Sequence, residues 1–362
     1  MTTNVFTPIK LGRYTLTNRI VMAPLTRCRA DENNAPRAMN VEYYRQRATA
    51  GLIISEGSQI TAKAVGYLGT PGIYSDAQIA GWQQVTAAVH SRGGRIFLQL
   101  WHCGRVSHPS MLPDNMQPVA PSAIRAEGHA HTMEGVQAFV TPHELTTAEI
   151  AVVVAEFSQA AQNALQAGFD GVEIHGANGY LIDQFIRDGS NQRTDEYGGS
   201  LANRARFLLE ITQAVVNVWG ADRVGVRLSP INPFNDMSDS NPQATFDYVA
   251  QALSPFQLAY LHVTEWAGHD ASQPKPAFDF AQLRAAYQGT YMTNGGYTLD
   301  KANAAISSGT ADLVAFGSLY IANPDLAERF AQNAPLNTPD ASTFYGGNEA
   351  GYTDYPSLTL AA

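Results

Sequence analysis

The sequence predicts an α/β fold of the (β/α)8, or TIM, barrel class. Eight short β-rich runs alternate with longer helix-period segments along 362 residues. Most of these runs begin apolar on both faces, as strands of a buried parallel sheet do. No chain break separates two halves, as a doubly wound sheet would need, so one closed barrel is the simpler reading.

The strands are expected at 20–26, 52–60, 95–101, 171–177, 224–230, 260–266, 290–296 and 313–319. Helix 76–91 opens after Ser75, a capping residue, and places Ile79, Trp82, Val85 and Val89 three and four apart on one face. Helix 147–167 opens near a capping-box pattern and stops before Gly168. Helices 201–219 and 299–308 are each followed by glycine. Two departures from a minimal barrel stand out. Residues 9–16 read as an N-terminal hairpin closing the barrel bottom. Residues 102–146, rich in Pro, Gly, Ser and His, read as a capping insertion after strand 3 that covers the mouth. With a C-terminal tail at 334–362, the chain is expected to form a single domain over 1–362.

Composition narrows the function classes. The chain is 45% hydrophobic and 15% charged, which excludes disorder and collagen-like structure. The net charge of −9 comes without a Lys/Arg run, so nucleic acid is not an expected partner. Two cysteines, Cys28 and Cys103, make no disulfide framework and fit a reducing compartment. The first 13 residues lack the apolar core of a signal peptide, and no apolar run is long enough to span a bilayer, so the expected location is the cytoplasm.

In a barrel of this class the chemistry sits at the C-terminal strand ends. Strands 7 and 8 end in Asn294-Gly295-Gly296 and Phe316-Gly317-Ser318. Glycine turns there, each leading into a helix, suit a phosphate group, although glycines also end strands for steric reasons. Arg227 in strand 5 needs a partner if buried: a carboxylate inside the barrel, or an anionic ligand. His175, Asn178 and Tyr180 fall within six residues at the end of strand 4. His and Asn can both donate to one oxygen, and Tyr can donate a proton. Other chemistries lack their residues. None of the four lysines lies in a barrel strand, which disfavours a Schiff base. His129 and His131 read as exposed loop residues, no metal-binding set is expected, and there is no G-x-S-x-G elbow. Cys28 has nothing nearby to lower its pKa.

Motifs in order along nearly the whole chain carry a resemblance. They include APLTR at 23–27, GLIISE at 51–56, QLWH at 99–102, AGFDGVEIH at 167–175, ANGYLIDQF at 177–185 and GYTDYP at 351–356. The sequence resembles the old yellow enzyme family of FMN-dependent ene-reductases, on its N-ethylmaleimide reductase-like branch. The resemblance implies tightly bound, non-covalent FMN and NADPH or NADH as reductant. It further implies reduction of activated C=C bonds in α,β-unsaturated carbonyls, maleimides or nitroalkenes by hydride transfer from flavin N5. Pro24, Thr26, Gly57, Gln99 and Arg227 would contact the flavin, and Gly295, Gly296, Gly317 and Ser318 its phosphate. His175 and Asn178 would grip the substrate oxygen, and Tyr180 would protonate carbon. Tyr67, Trp101, Trp266 and Tyr345 would line the pocket, a place that aromatic packing alone also explains. The family's usual Phe-Gly-Arg is Phe316-Gly317-Ser318 here, one phosphate-facing charge fewer. The branch implies a monomer. Nitrate-ester or nitro-compound reduction at the same site, or a flavin-binding protein whose catalysis has lapsed, are the competing readings. Two cysteines cannot ligate the iron–sulfur cluster of dienoyl-CoA-reducing relatives.

Overall fold

The computed structural model describes residues 3–265 and 277–358. Its centre is a closed parallel barrel. The strands are β1 (Ile20–Met22), β2 (Leu52–Gln59), β3 (Ile96–Trp101) and β4 (Gly171–Gly176), then β5 (Val224–Leu228), β6 (Tyr260–Thr264), β7 (Tyr291–Asn294) and β8 (Leu313–Phe316). They follow one another around the barrel in chain order, and β8 closes on β1 with Val314 opposite Ile20. Several strands end earlier than the residue pattern suggests. Pro24 has no N–H for a ladder, so β1 stops at Met22. Gly295 and Gly296 take positive φ values of 140° and 71°, which ends β7 at Asn294.

Ten α-helices are described: α1 (Ala38–Gln46), α2 (Asp76–His90), α3 (Thr147–Gln166), α4 (Leu181–Ile186) and α5 (Leu201–Trp219), then α6 (Pro242–Leu253), α7 (Phe280–Ala286), α8 (Leu299–Ser308), α9 (Ser318–Ala322) and α10 (Leu326–Ala331). Both anticipated starts are capping boxes, Ser75 with Gln78 and Thr146 with Glu149. Gly168, Gly220 and Gly309 follow their helices at φ of 83°, 78° and 77°, a conformation that costs glycine little.

Strand alternation divides the apolar residues between two clusters. Ile53, Leu98, Ile174 and Val226 face the helices, whereas Val21, Ile54, Phe97, Tyr260 and Met292 fill the barrel floor. Leu11 and Leu16 of the hairpin Ile9–Leu11/Tyr14–Leu16 join that floor, and Arg13 pairs with Asp222 at 2.7 Å beneath β5. Above the floor lies a polar layer. Gln99 Nε2 donates to Glu173 Oε1 at 2.8 Å, and His262 Nδ1 meets Glu173 Oε2 at 2.8 Å.

The 102–146 segment packs Cys103, Val106, Ala126, Ala130 and Phe139 against Trp101 and Tyr180 at the top of β3 and β4. Arg105 ties it to the β5–α6 loop through the carbonyl of Asp236 at 2.8 Å. His129 and His131 are exposed as anticipated, but on a hairpin strand (His129–Thr132) rather than in a loop, because Gly135 at φ 105° turns the chain back. The C-terminal tail is held by Arg27 and Arg29, whose guanidinium groups donate to the carbonyls of Thr343, Phe344, Asn348, Ala350 and Gly351.

Candidate active site

The top inward-facing residues of the strands meet at the barrel mouth. His175 and Arg227 are direct neighbours across β4 and β5, so their side chains share the interior. A cavity of 410 Å³ opens there, bordered by Asn178, Arg227, Gly295, Gly296, Gly317, Ser318 and Tyr345. The structure thus gathers residues from four strand ends and the tail that the sequence singles out separately. Pro24 and Thr26 are half-buried above β1, which touches β8 through Ala23 N–H to the Phe316 carbonyl at 3.0 Å. Trp266 lies outside the described residues.

Tyr180, Trp101, Tyr67 and His175 form one aromatic wall. Trp101 and His175 each meet Tyr180 edge-on with centroids 5.0 Å apart, and Tyr67 stacks on Trp101 at 5.5 Å. Tyr180 Oη donates to Tyr67 Oη at 3.1 Å. Burial in this wall pushes the Tyr180 phenol well above its ordinary pKa, so it keeps its proton at neutral pH. Burial, then the charge of Arg227, hold His175 well below its ordinary value, so the ring is neutral. Its Nδ1 accepts from Ala177 N–H at 3.3 Å, which leaves the proton on Nε2 as a donor.

Arg227 has no carboxylate within ion-pairing distance among the described residues. Its Nη2 donates to Asn294 Oδ1 at 3.2 Å, and its buried Nε has no partner. A guanidinium left short of partners on the wall of a cavity fits an anionic ligand better than an internal ion pair. The positive-φ turn at Gly295 and Gly296 lies on the same cavity, where a Cβ at Gly296 would meet nothing but at a strained φ. Together they suit the negative edge and the phosphate of a flavin nucleotide. Gln99 has Nε2 committed to Glu173, so Oε1 is its remaining acceptor. Gly57 shows a packing role: a Cβ there would stand 2.6 Å from Trp101 Cε3.

Two other acidic strand-end residues stay out of the site. Glu56 faces α1, where Tyr44 Oη donates to it at 3.3 Å, and burial raises its carboxyl to about 7. Glu265 accepts from Thr293 at 2.8 Å and from Tyr297 at 2.9 Å. Burial likewise raises the Cys28 thiol to about 12, so it stays protonated at neutral pH. Asn232, Phe234, Thr264 and Asn294 also border the cavity. Thr264 and Asn294 end strands and could be found by that rule. Asn232 and Phe234 lie in the β5–α6 loop, where no periodicity marks them.

Fold and site together fit a barrel enzyme whose C-terminal mouth suits an anionic cofactor, beside side chains able to bind an oxygen and donate a proton. The chain belongs to the NADH:flavin oxidoreductase / NADH oxidase family, whose profile matches residues 4–337. It is therefore an FMN-dependent oxidoreductase that uses a nicotinamide reductant. It is 46% identical to a probable flavin mononucleotide-dependent alkene reductase of Leishmania infantum, over 97% of this chain and 96% of that one. It is 45% identical to 12-oxophytodienoate reductase 1 of Oryza sativa subsp. japonica, over 98% and 93%. Among solved structures, morphinone reductase superposes with a TM-score of 0.94 at 48% identity, covering 99% of this chain and 97% of that one. The old yellow enzyme homologue from Zymomonas mobilis gives 0.94 at 44% identity, covering 98% and 100%.

Proposed function

We propose that this chain reduces the activated C=C bond of α,β-unsaturated carbonyls, maleimides or nitroalkenes, with NADPH or NADH as reductant. The observation that carries the reading is the placement of His175, Asn178 and Tyr180 at one strand end, with the partner-deficient Arg227 opposite His175 on the next strand. FMN, when bound, would supply the hydride chemistry that links the nicotinamide to the substrate. Arg227 would offset negative charge on the flavin, and Gln99 Oε1 and Thr26 would bind polar groups of the ring. Pro24 and Gly57 would contact the ring. Gly295, Gly296, Gly317 and Ser318 would hold the phosphate through N–H and hydroxyl groups. His175 Nε2 and Asn178 Nδ2 donate to the substrate's carbonyl or nitro oxygen and stabilise the charge that develops there. Tyr180 delivers its proton to the α-carbon. Tyr67, Trp101 and Tyr345 border the alkene, with Trp266 assigned beside them.

The reading further takes residues 1–362 as one FMN-binding domain acting as a cytoplasmic monomer. Two free thiols, Cys28 and Cys103, support the reducing location. No helix among the described residues is long and apolar enough to cross a membrane.

The test is the visible spectrum of the purified protein, a titration with a para-substituted phenol, and steady-state reduction of an enone. The expected result is bound flavin, a long-wavelength charge-transfer band on phenol binding, and turnover. Phenol binding without turnover would point to a lapsed flavin-binding protein. A colourless protein that takes up no FMN would overturn the site assignment.

A further inference from the structure

We propose that Asn232 is a positioning residue that fixes which edge of the Asn178 amide faces the substrate oxygen. The proposal rests on the reading of Asn178 as an oxygen-binding donor. An asparagine offers a donor edge and an acceptor edge of nearly equal shape, so nothing in its own structure decides between them. Here a backbone group decides. The Phe234 N–H donates to Asn232 Oδ1 at 3.0 Å, and a backbone amide cannot reverse its polarity. Asn232 must therefore turn Nδ2 the other way, and Nδ2 donates to Asn178 Oδ1 at 2.9 Å. With Oδ1 engaged, the remaining edge of Asn178 on the cavity is Nδ2, a donor. If Asn178 were reversed, two N–H groups would face each other at the Asn232 contact, and one buried donor would lose its partner.

The rest of the surroundings keep Asn178 from escaping this choice. Its φ is 57°, a left-handed conformation that asparagine tolerates. Its N–H donates to Ser229 Oγ at 2.7 Å, and its carbonyl accepts from Asn235 Nδ2 at 2.8 Å. Asp183 supports the same turn, accepting from Gly179 N–H at 2.8 Å and pairing with Arg187 at 2.9 Å. The backbone is held on both sides of the residue, and the one freedom left is rotation of the amide. Asn232, buried at the cavity edge, removes it.

The readout is the dissociation constant of a para-substituted phenol, followed by its charge-transfer band in the FMN-loaded protein. Asn232→Asp replaces the donor with an acceptor, so Asn178 turns its Nδ2 inward and presents Oδ1 to the phenol oxygen. Binding is expected to weaken about tenfold or more. Asn232→Ala leaves the amide free to adopt both orientations and is expected to weaken binding several-fold, on the order of one ordinary hydrogen bond. An Asp also brings a negative charge near the phenol oxygen, so both substitutions are repeated in an Asn178→Leu background, where there is no amide to orient. There the expected change is under about twofold. Equal losses in both backgrounds, or no loss in either Asn232 variant while FMN content stays normal, would overturn the proposal. Asn178→Leu separates it from the reading beneath it. If that variant binds phenol as tightly as the parent, the donor role of Asn178 fails. If it binds weakly while the Asn232 variants do not, only the role of Asn232 fails.

Discussion

Tyr180 acquires its chemistry from its neighbours. Enclosed by Trp101, Tyr67 and His175, it keeps its phenolic proton far beyond neutral pH and has an outlet for its own hydrogen bond in Tyr67. Tyr180→Phe should slow the alkene half-reaction by about 10²- to 10⁴-fold while oxidation of the nicotinamide stays near normal. Stopped-flow absorbance of each half-reaction checks this, and equal slowing of both would make Tyr180 a packing residue. Ser318 raises a different question. It opens α9 at the exposed rim of the cavity, a place where an arginine would add a charged hydrogen bond to phosphate. Such a bond contributes about 1.5–3 kcal/mol, so Ser318→Arg should tighten FMN roughly ten- to a hundredfold. Fluorescence titration of the apoprotein measures it, and an unchanged constant removes Ser318 from the phosphate site.

At the level of elements, the strand ends decide where function can sit. β2 breaks register between Ile54 and Gly57, and this irregularity aims Glu56 at α1 while Gly57 slides beneath Trp101. A methyl group at position 57 has no room, so Gly57→Ala should cost about 1–3 kcal/mol and disturb the aromatic wall. Urea unfolding and near-ultraviolet circular dichroism report both effects. A variant as stable as the parent would show that Trp101 can move aside. The tail is positioned in a similar indirect way: Arg27 and Arg29, just beyond β1, grip its carbonyls and so bring the exposed Tyr345 to the mouth.

Across the whole molecule, buried titratable groups couple the fold to pH. Burial and nearby Lys63 lower His102 to about 3, and His175 is also held well below its ordinary value. Above about pH 6.5 both are neutral whether folded or not. Below it the unfolded chain takes up protons that the native state refuses, so stability falls with acid by about 1.4 kcal/mol per pH unit for each histidine. Glu56 works in the opposite sense, because its native carboxyl keeps a proton up to about 7 and its stabilisation is lost as pH rises. Denaturant titrations between pH 7 and 5 should therefore show a shallower acid loss for His102→Asn and a steeper one for Glu56→Gln. Parallel slopes for all three proteins would contradict these assignments.

The sequence by itself determined what local periodicity and local chemistry can specify. Strand alternation, the cap at Ser75, a capping-box pattern opening helix 147–167, and glycine stops after three helices were all legible. So was the cluster His175, Asn178 and Tyr180, because it spans six residues of one strand end. Tertiary structure decided what depends on contacts between distant segments. The polar layer of Gln99, Glu173 and His262 joins three strands. The hydrogen bond that engages Asn178 Oδ1 comes from Asn232, in a loop 54 residues away. Gly57, read as a cofactor contact, also has a steric duty toward Trp101 that only packing reveals. An amide's orientation or a side chain's clearance belongs to a pair of residues, and the second member of each pair arrives only when the barrel closes.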